Sequence, residues 1–191
     1  MDFPRERNQP PARPAHRRFH CARLLSRGGK RFAGKAFVGR LATSRFVADP
    51  VLLKEIESVL SGAKFDVILI NNGMHGWQHS ETEYRNAFPK LIKTIRVHAP
   101  KARLIWATTT PLRNGKDVTY DTKAEYSDER IAAGNALAAE VVATQKLPTV
   151  DLYAAVRGRP ELHSDNVHFN GQGSQVLATQ IYAAVEKLLP R

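Results

Sequence analysis

Asp165 and His168 stand three residues apart in His163-Ser-Asp165-Asn-Val-His168-Phe-Asn170, just ahead of a segment with helical apolar spacing. In a tight turn leading into a helix, that spacing brings both side chains to one side of the chain, where the carboxylate can accept from one ring nitrogen. Such a bond fixes the tautomer. The other nitrogen becomes a base able to take a proton from a hydroxyl and return it to a leaving group, and the carboxylate stabilises the imidazolium formed in between. By spacing alone, a loop-capping Asp beside a surface His fits as well.

The elements that must position this pair are written in the hydrophobic pattern. Residues 36–41 read as a short strand, and Asp49-Pro50 followed by Val51, Leu52, Glu55, Ile56 and Val59 reads as a capped amphipathic helix. Residues 65–70 form an apolar run ending in Asn71-Asn72-Gly73, the pattern of a strand covered on both faces that runs into a loop at a ligand-binding edge. A helix over 81–98 carries Tyr84, Phe88, Leu91, Ile92 and Ile95 on one stripe. Residues 103–107 predict a strand leading into Thr108-Thr109-Thr110, and a helix is expected over 127–145. A strand over 148–152 and a last helix over 171–189, with Asn170 as its N-cap, complete the series. Strands alternating with helices predict an α/β domain with a mostly parallel sheet.

Asp165-x-x-His168-Phe-Asn before a C-terminal helix, together with the strand and the Asn/Gly/His loop of residues 65–76, resembles the SGNH (GDSL-like) hydrolases over about residues 34–189. The resemblance implies a flavodoxin-like three-layer α/β/α sandwich and an ester hydrolase acting through an acyl-enzyme on an acylated small molecule or carbohydrate. It makes Asp165 the orienter and His168 the base. The family's Gly-x-Asn-Asp block falls on Gly73-Met74-His75-Gly76, so His75 stands where an Asn usually donates to the oxyanion. Asn72 is a second candidate donor, and Asn72-Gly73 also fits a simple turn. Thr109, at the C-terminal end of a strand, is expected to line the pocket with its neighbours.

The family's first block, a strand ending in Gly-Asp-Ser, has no counterpart in this sequence. The candidate nucleophile is then Ser44, which follows a strand in a position resembling the second block. The reading therefore expects the first strand of the sheet to be missing, replaced by a new or shifted N-terminal segment. The alternative is an inactive fragment or pseudoenzyme, a binding domain on the same fold.

Residues 1–45 hold 12 of the 29 Lys and Arg and only Asp2 and Glu6 among the acids, so nearly all of the net charge of +11 lies there. With Pro4, Pro10, Pro11 and Pro14 among the arginines, residues 1–33 are expected to be a disordered leader with a helical turn near 21–25, and 34–191 the folded domain. The domain itself is close to charge balance, so no nucleic-acid partner is expected. One cysteine excludes an intrachain disulfide, and no apolar run is long enough to span a membrane. No signal peptide is visible, which makes the cytoplasm the default compartment. No cofactor is expected. His75 and His79 have metal-ligand spacing but lack the acidic ligands on a helix that would support a metal site, so none is expected there.

Overall fold

The structure is a computed structural model that describes residues 17–21, 32, 35–76, 79–117 and 126–190. Strand β1 (Arg17–Cys21) is followed by β2 (Ala36–Gly39), helix α1 (Pro50–Gly62), β3 (Val67–Ile70), α2 (Glu81–His98) and β4 (Arg103–Ala107). Then come β5 (Lys116–Asp117), β6 (Tyr126–Ser127), α3 (Asp128–Thr144), β7 (Thr149–Val150), α4 (Leu152–Val156), a 3-10 turn (Pro160–Leu162) and α5 (Gly171–Glu186). The main sheet is parallel in the order β2-β1-β3-β4-β7, and β5 pairs with β6 in a separate antiparallel ribbon.

The first strand is present, which corrects the expectation that it is missing. Arg17–Cys21 lies between β2 and β3, pairing Arg17 with Ala36 on one side and Phe19 with Val67 on the other. A Pro- and Arg-rich composition argues against a packed core, but a sheet ladder is made by the main chain. The inner edges of β2 and β3 need backbone partners whatever side chains supply them. Phe32 also belongs to the domain, buried at 1% exposure against the Tyr182 ring. Disorder over 1–33 therefore does not hold for these residues, nor does a helical turn at Cys21; the rest of that stretch lies outside the described residues.

Strand β3 shows why the sheet is covered on both sides. All four of its residues are buried. Ile68 and Ile70 pack with Leu52 of α1, Phe88 and Leu91 of α2, and Val142 of α3, while Val67 and Leu69 face Leu152 of α4 and Leu177 and Ile181 of α5. Alternation along one strand thus builds two cores, the middle of a three-layer sandwich.

The helices start where the sequence supplies caps. Asp49 accepts from the Val51 N–H at 2.8 Å with Pro50 in the first turn, and Ser80 and Glu83 close a reciprocal capping box on α2. The strand predicted over 148–152 is shorter, because Asp151 accepts from the Ala154 N–H at 3.0 Å and starts α4. Every strand of the main sheet points its C-terminal end toward the same edge. The loops after β2, β3 and β4, and the loop before α5, build the candidate site there.

Candidate active site

The loop before α5 is closed by its own backbone. His163 and Phe169 form an antiparallel bridge, the Ser164 N–H donates to the His168 carbonyl at 2.9 Å, and the Asn170 N–H donates to the Leu162 carbonyl at 2.9 Å. Asn170 caps α5 by accepting from the Gln172 and Gly173 N–H groups at 2.9 and 3.0 Å. Gly173 is required here, since a Cβ would run into the Leu162 carbonyl oxygen and the Phe169 ring. From outside, the Arg113 N–H donates to the Asn166 carbonyl at 2.8 Å, and the Asn114 N–H to Asn166 Oδ1 at 2.9 Å.

Within this frame Asp165 divides its two oxygens. Oδ1 accepts from the backbone N–H of Val167 at 2.8 Å and of His168 at 2.6 Å, while Oδ2 lies 2.8 Å from His168 Nδ1. The His168 N–H is the main cause that draws the Asp165 carboxyl down to about 2; burial opposes it as the next largest effect, and the Val167 N–H and the imidazole add to the lowering. The group is therefore an acceptor at neutral pH. Nδ1 of His168 must carry the proton it donates, which leaves the lone pair on Nε2. Side-chain exposures of 44% for His168 and 58% for Asp165 place the pair at the surface end of the site.

His168 lines a cavity of about 290 Å³ whose wall also includes Asn72, Gly73, His75 and Thr109. The apolar depth of the cavity is built by Leu52, Ile56 and Leu60 of α1 with Leu91 and Ile95 of α2. The structure thus brings together His168, with Asp165 behind it, and all four residues expected from the loops after β3 and β4. It does not bring in Ser44, which is exposed and outside the lining, whereas Leu41, Ala42 and Thr43 of the same loop are part of it. Val167, Phe169 and Ser174 also line the cavity and were not foreseen. Val167 and Phe169 flank the predicted base, and Ser174 lies in the first turn of α5, so proximity to His168 was their only signal.

Asn72 is partly committed elsewhere. Its Nδ2 donates to the Arg45 carbonyl at 3.0 Å, and its own carbonyl accepts from the buried Tyr84 hydroxyl at 2.7 Å. His79 stacks on Phe46 with ring centres 4.3 Å apart, and its Nδ1 lies 3.1 Å from Glu83 Oε1. These contacts occupy His79 in holding the start of α2. His163, one turn before His168, is buried against Phe169, and burial lowers its pKa below the usual imidazole value.

The parallel sheet in the order β2-β1-β3-β4-β7, with the candidate site at its strand-end edge, agrees with a comparison of the sequence with protein families. The profile of the GDSL-like Lipase/Acylhydrolase family matches residues 9–176, a span that includes β1. The chain belongs to this family. Solved structures agree on the fold. A putative acylhydrolase from Bacteroides fragilis superimposes with a TM-score of 0.74 at 17% identity, covering 93% of this chain and 89% of that one. A GDSL-like lipase from Bacteroides thetaiotaomicron gives 0.71 at 15% identity, covering 91% and 89%. A carbohydrate esterase family 3 protein from Talaromyces cellulolyticus gives 0.70 at 14% identity, covering 91% and 97%. No curated protein sequence matches the chain. Among the described residues no helix is long and apolar enough to cross a membrane.

Proposed function

We propose that this GDSL-like protein is an ester hydrolase that works through an acyl-enzyme, with His168 as general base and Asp165 as its orienter. The observation that carries the reading is the 2.8 Å contact between Asp165 Oδ2 and His168 Nδ1 at the wall of a cavity. In this reading Nε2 takes the proton of an attacking hydroxyl and later gives it to the departing alcohol, while Asp165 stabilises the imidazolium. N–H donors around Gly73 and His75 face the oxyanion, with Asn72 and Thr109 shaping the same wall. The substrate is an acylated small molecule or carbohydrate, its acyl part directed toward the apolar side formed by α1 and α2.

A fluorophosphonate probe and a p-nitrophenyl ester test this directly. The expected result is labelling and turnover by the full chain, both lost in folded His168→Ala. Labelling that persists in Ser44→Ala removes Ser44 as the nucleophile. The position of Ser44 outside the cavity, with no Gly-Asp-Ser in the chain, favours a second reading in which the fold binds an acyl or carbohydrate ligand without turnover. Ligand binding that is indifferent to His168→Ala, with neither labelling nor hydrolysis, decides for that reading.

A further inference from the structure

Thr109 leaves β4 into the cavity wall and is 4% exposed, so its backbone N–H and carbonyl need partners that the sheet does not supply. Both partners come from one side chain. Asn135, on α3 and 26 residues away, accepts from the Thr109 N–H through Oδ1 at 2.8 Å and donates from Nδ2 to the Thr109 carbonyl at 2.9 Å. A carboxamide has one acceptor and one donor side by side, so this two-point clamp imitates the pairing of a neighbouring strand and fixes Thr109 in position and orientation.

The clamp reaches the loop after β3 through the Thr109 hydroxyl. Oγ1 accepts from Asn71 Nδ2 at 3.2 Å, and the same Nδ2 donates to the Ala107 carbonyl at 2.9 Å. Oγ1 also lies directly over the Gly73 Cα, so that a Cβ at residue 73 would overlap it. With no side chain between them, a shift of Thr109 toward the loop presses on Gly73 directly, while the Asn71 bond to Oγ1 ties the same loop to Thr109.

We infer that Asn135, which is not among the residues lining the cavity, is a positioning residue for the donor edge of the site, acting through Thr109 on Gly73 and the residues after it. The inference rests on the hydrolase reading for its kinetic consequence alone; the mechanical link stands on the hydrogen bonds.

The test uses the full chain with Asn135→Ala and the nearly isosteric Asn135→Asp, which keeps an acceptor for the Thr109 N–H but faces the Thr109 carbonyl with an oxygen. Backbone amide spectra and hydrogen exchange are read at Thr109, Gly73 and His75, with amides of α5 as the remote reference. Exchange at Thr109 should speed up by about tenfold in Asn135→Ala, the effect of one lost hydrogen bond of about 1.4 kcal/mol. The Gly73 and His75 resonances should move in both variants while those of α5 stay. With p-nitrophenyl acetate, kcat should fall about tenfold with KM nearly unchanged, since donor placement matters most in the transition state. Unmoved Gly73 and His75 amides overturn the inference, as does a loss of activity that only tracks the folded fraction. If the wild-type chain turns over no ester, the hydrolase reading fails and the amide data alone decide the link. If Asn135→Ala does not fold, Asn135→Asp carries the same readouts.

Discussion

Replacing Asp165 with Asn forces a choice that the carboxylate avoids. An amide has one acceptor oxygen, whereas the site presents three donors: the Val167 and His168 N–H groups toward Oδ1 and the imidazole toward Oδ2. With the amide oxygen on the two backbone donors the loop is kept, and the NH2 faces Nδ1. The ring must then present a lone pair there and carry its proton on Nε2, where it cannot accept one from a hydroxyl. The opposite orientation keeps the tautomer but turns an NH2 toward two N–H donors. Two bonds outweigh one, so the first orientation should prevail. Losing one charge-assisted hydrogen bond of about 1.5–3 kcal/mol lowers a rate by roughly 10- to 150-fold. The wrong tautomer adds to this, up to the ~10⁴ known for the equivalent change in a buried serine-protease triad. With the pair about half exposed, the expected loss of kcat for Asp165→Asn lies between about 10² and 10⁴. Ester hydrolysis measures the rate, and ¹⁵N spectra of the His168 ring measure the tautomer whether or not the rate can be followed. A variant with an intact loop whose ring still carries its proton on Nδ1, or whose kcat is unchanged, refutes the reasoning.

Three further outcomes are expected. Because the folded Asp165 carboxyl titrates at about 2 instead of 3.8, its support of the loop is complete above pH 3.8 and is lost as the pH falls toward 2; the Val167 and His168 amide resonances should report this, and Asp165→Asn should abolish the transition. Burial lowers the His163 pKa, so its contribution to stability is whole above 6.5 and erodes below it, a slope in urea melts between pH 7 and 5 that His163→Leu should flatten. Gly173→Ala places a methyl against Leu162 and Phe169 and should cost about 1–3 kcal/mol, a fall in Tm of roughly 2–10 °C by calorimetry, whereas Ser80→Ala, which removes only a cap, should cost about 1 kcal/mol.

Where the sequence was legible, a local rule decided the structure. Glu81–His98 and Arg103–Ala107 were read with their observed bounds because each has a clear period or a continuous apolar run. The Asp165–His168 contact was readable because it spans three residues inside one turn. Strand β1 was not, because Arg-Arg-Phe-His-Cys has no apolar period and its place is dictated by the unpaired edges of β2 and β3, far along the chain. The β5–β6 ribbon and α4 are too short to show a period. The commitments of Asn72 to Arg45 and of Asn135 to Thr109 join residues 27 and 26 apart, which composition and spacing along one segment cannot reveal.

The two oxygens of Asp165 answer to different demands. Oδ1 shapes the turn that delivers the chain to α5, and only Oδ2 serves the imidazole. A descendant that gave up turnover would still need this carboxylate to fold its last turn, while its histidine would be free to drift. Across relatives, loss of activity should therefore be recorded at position 168 before it is recorded at 165, and an Asp retained here testifies to architecture more than to chemistry.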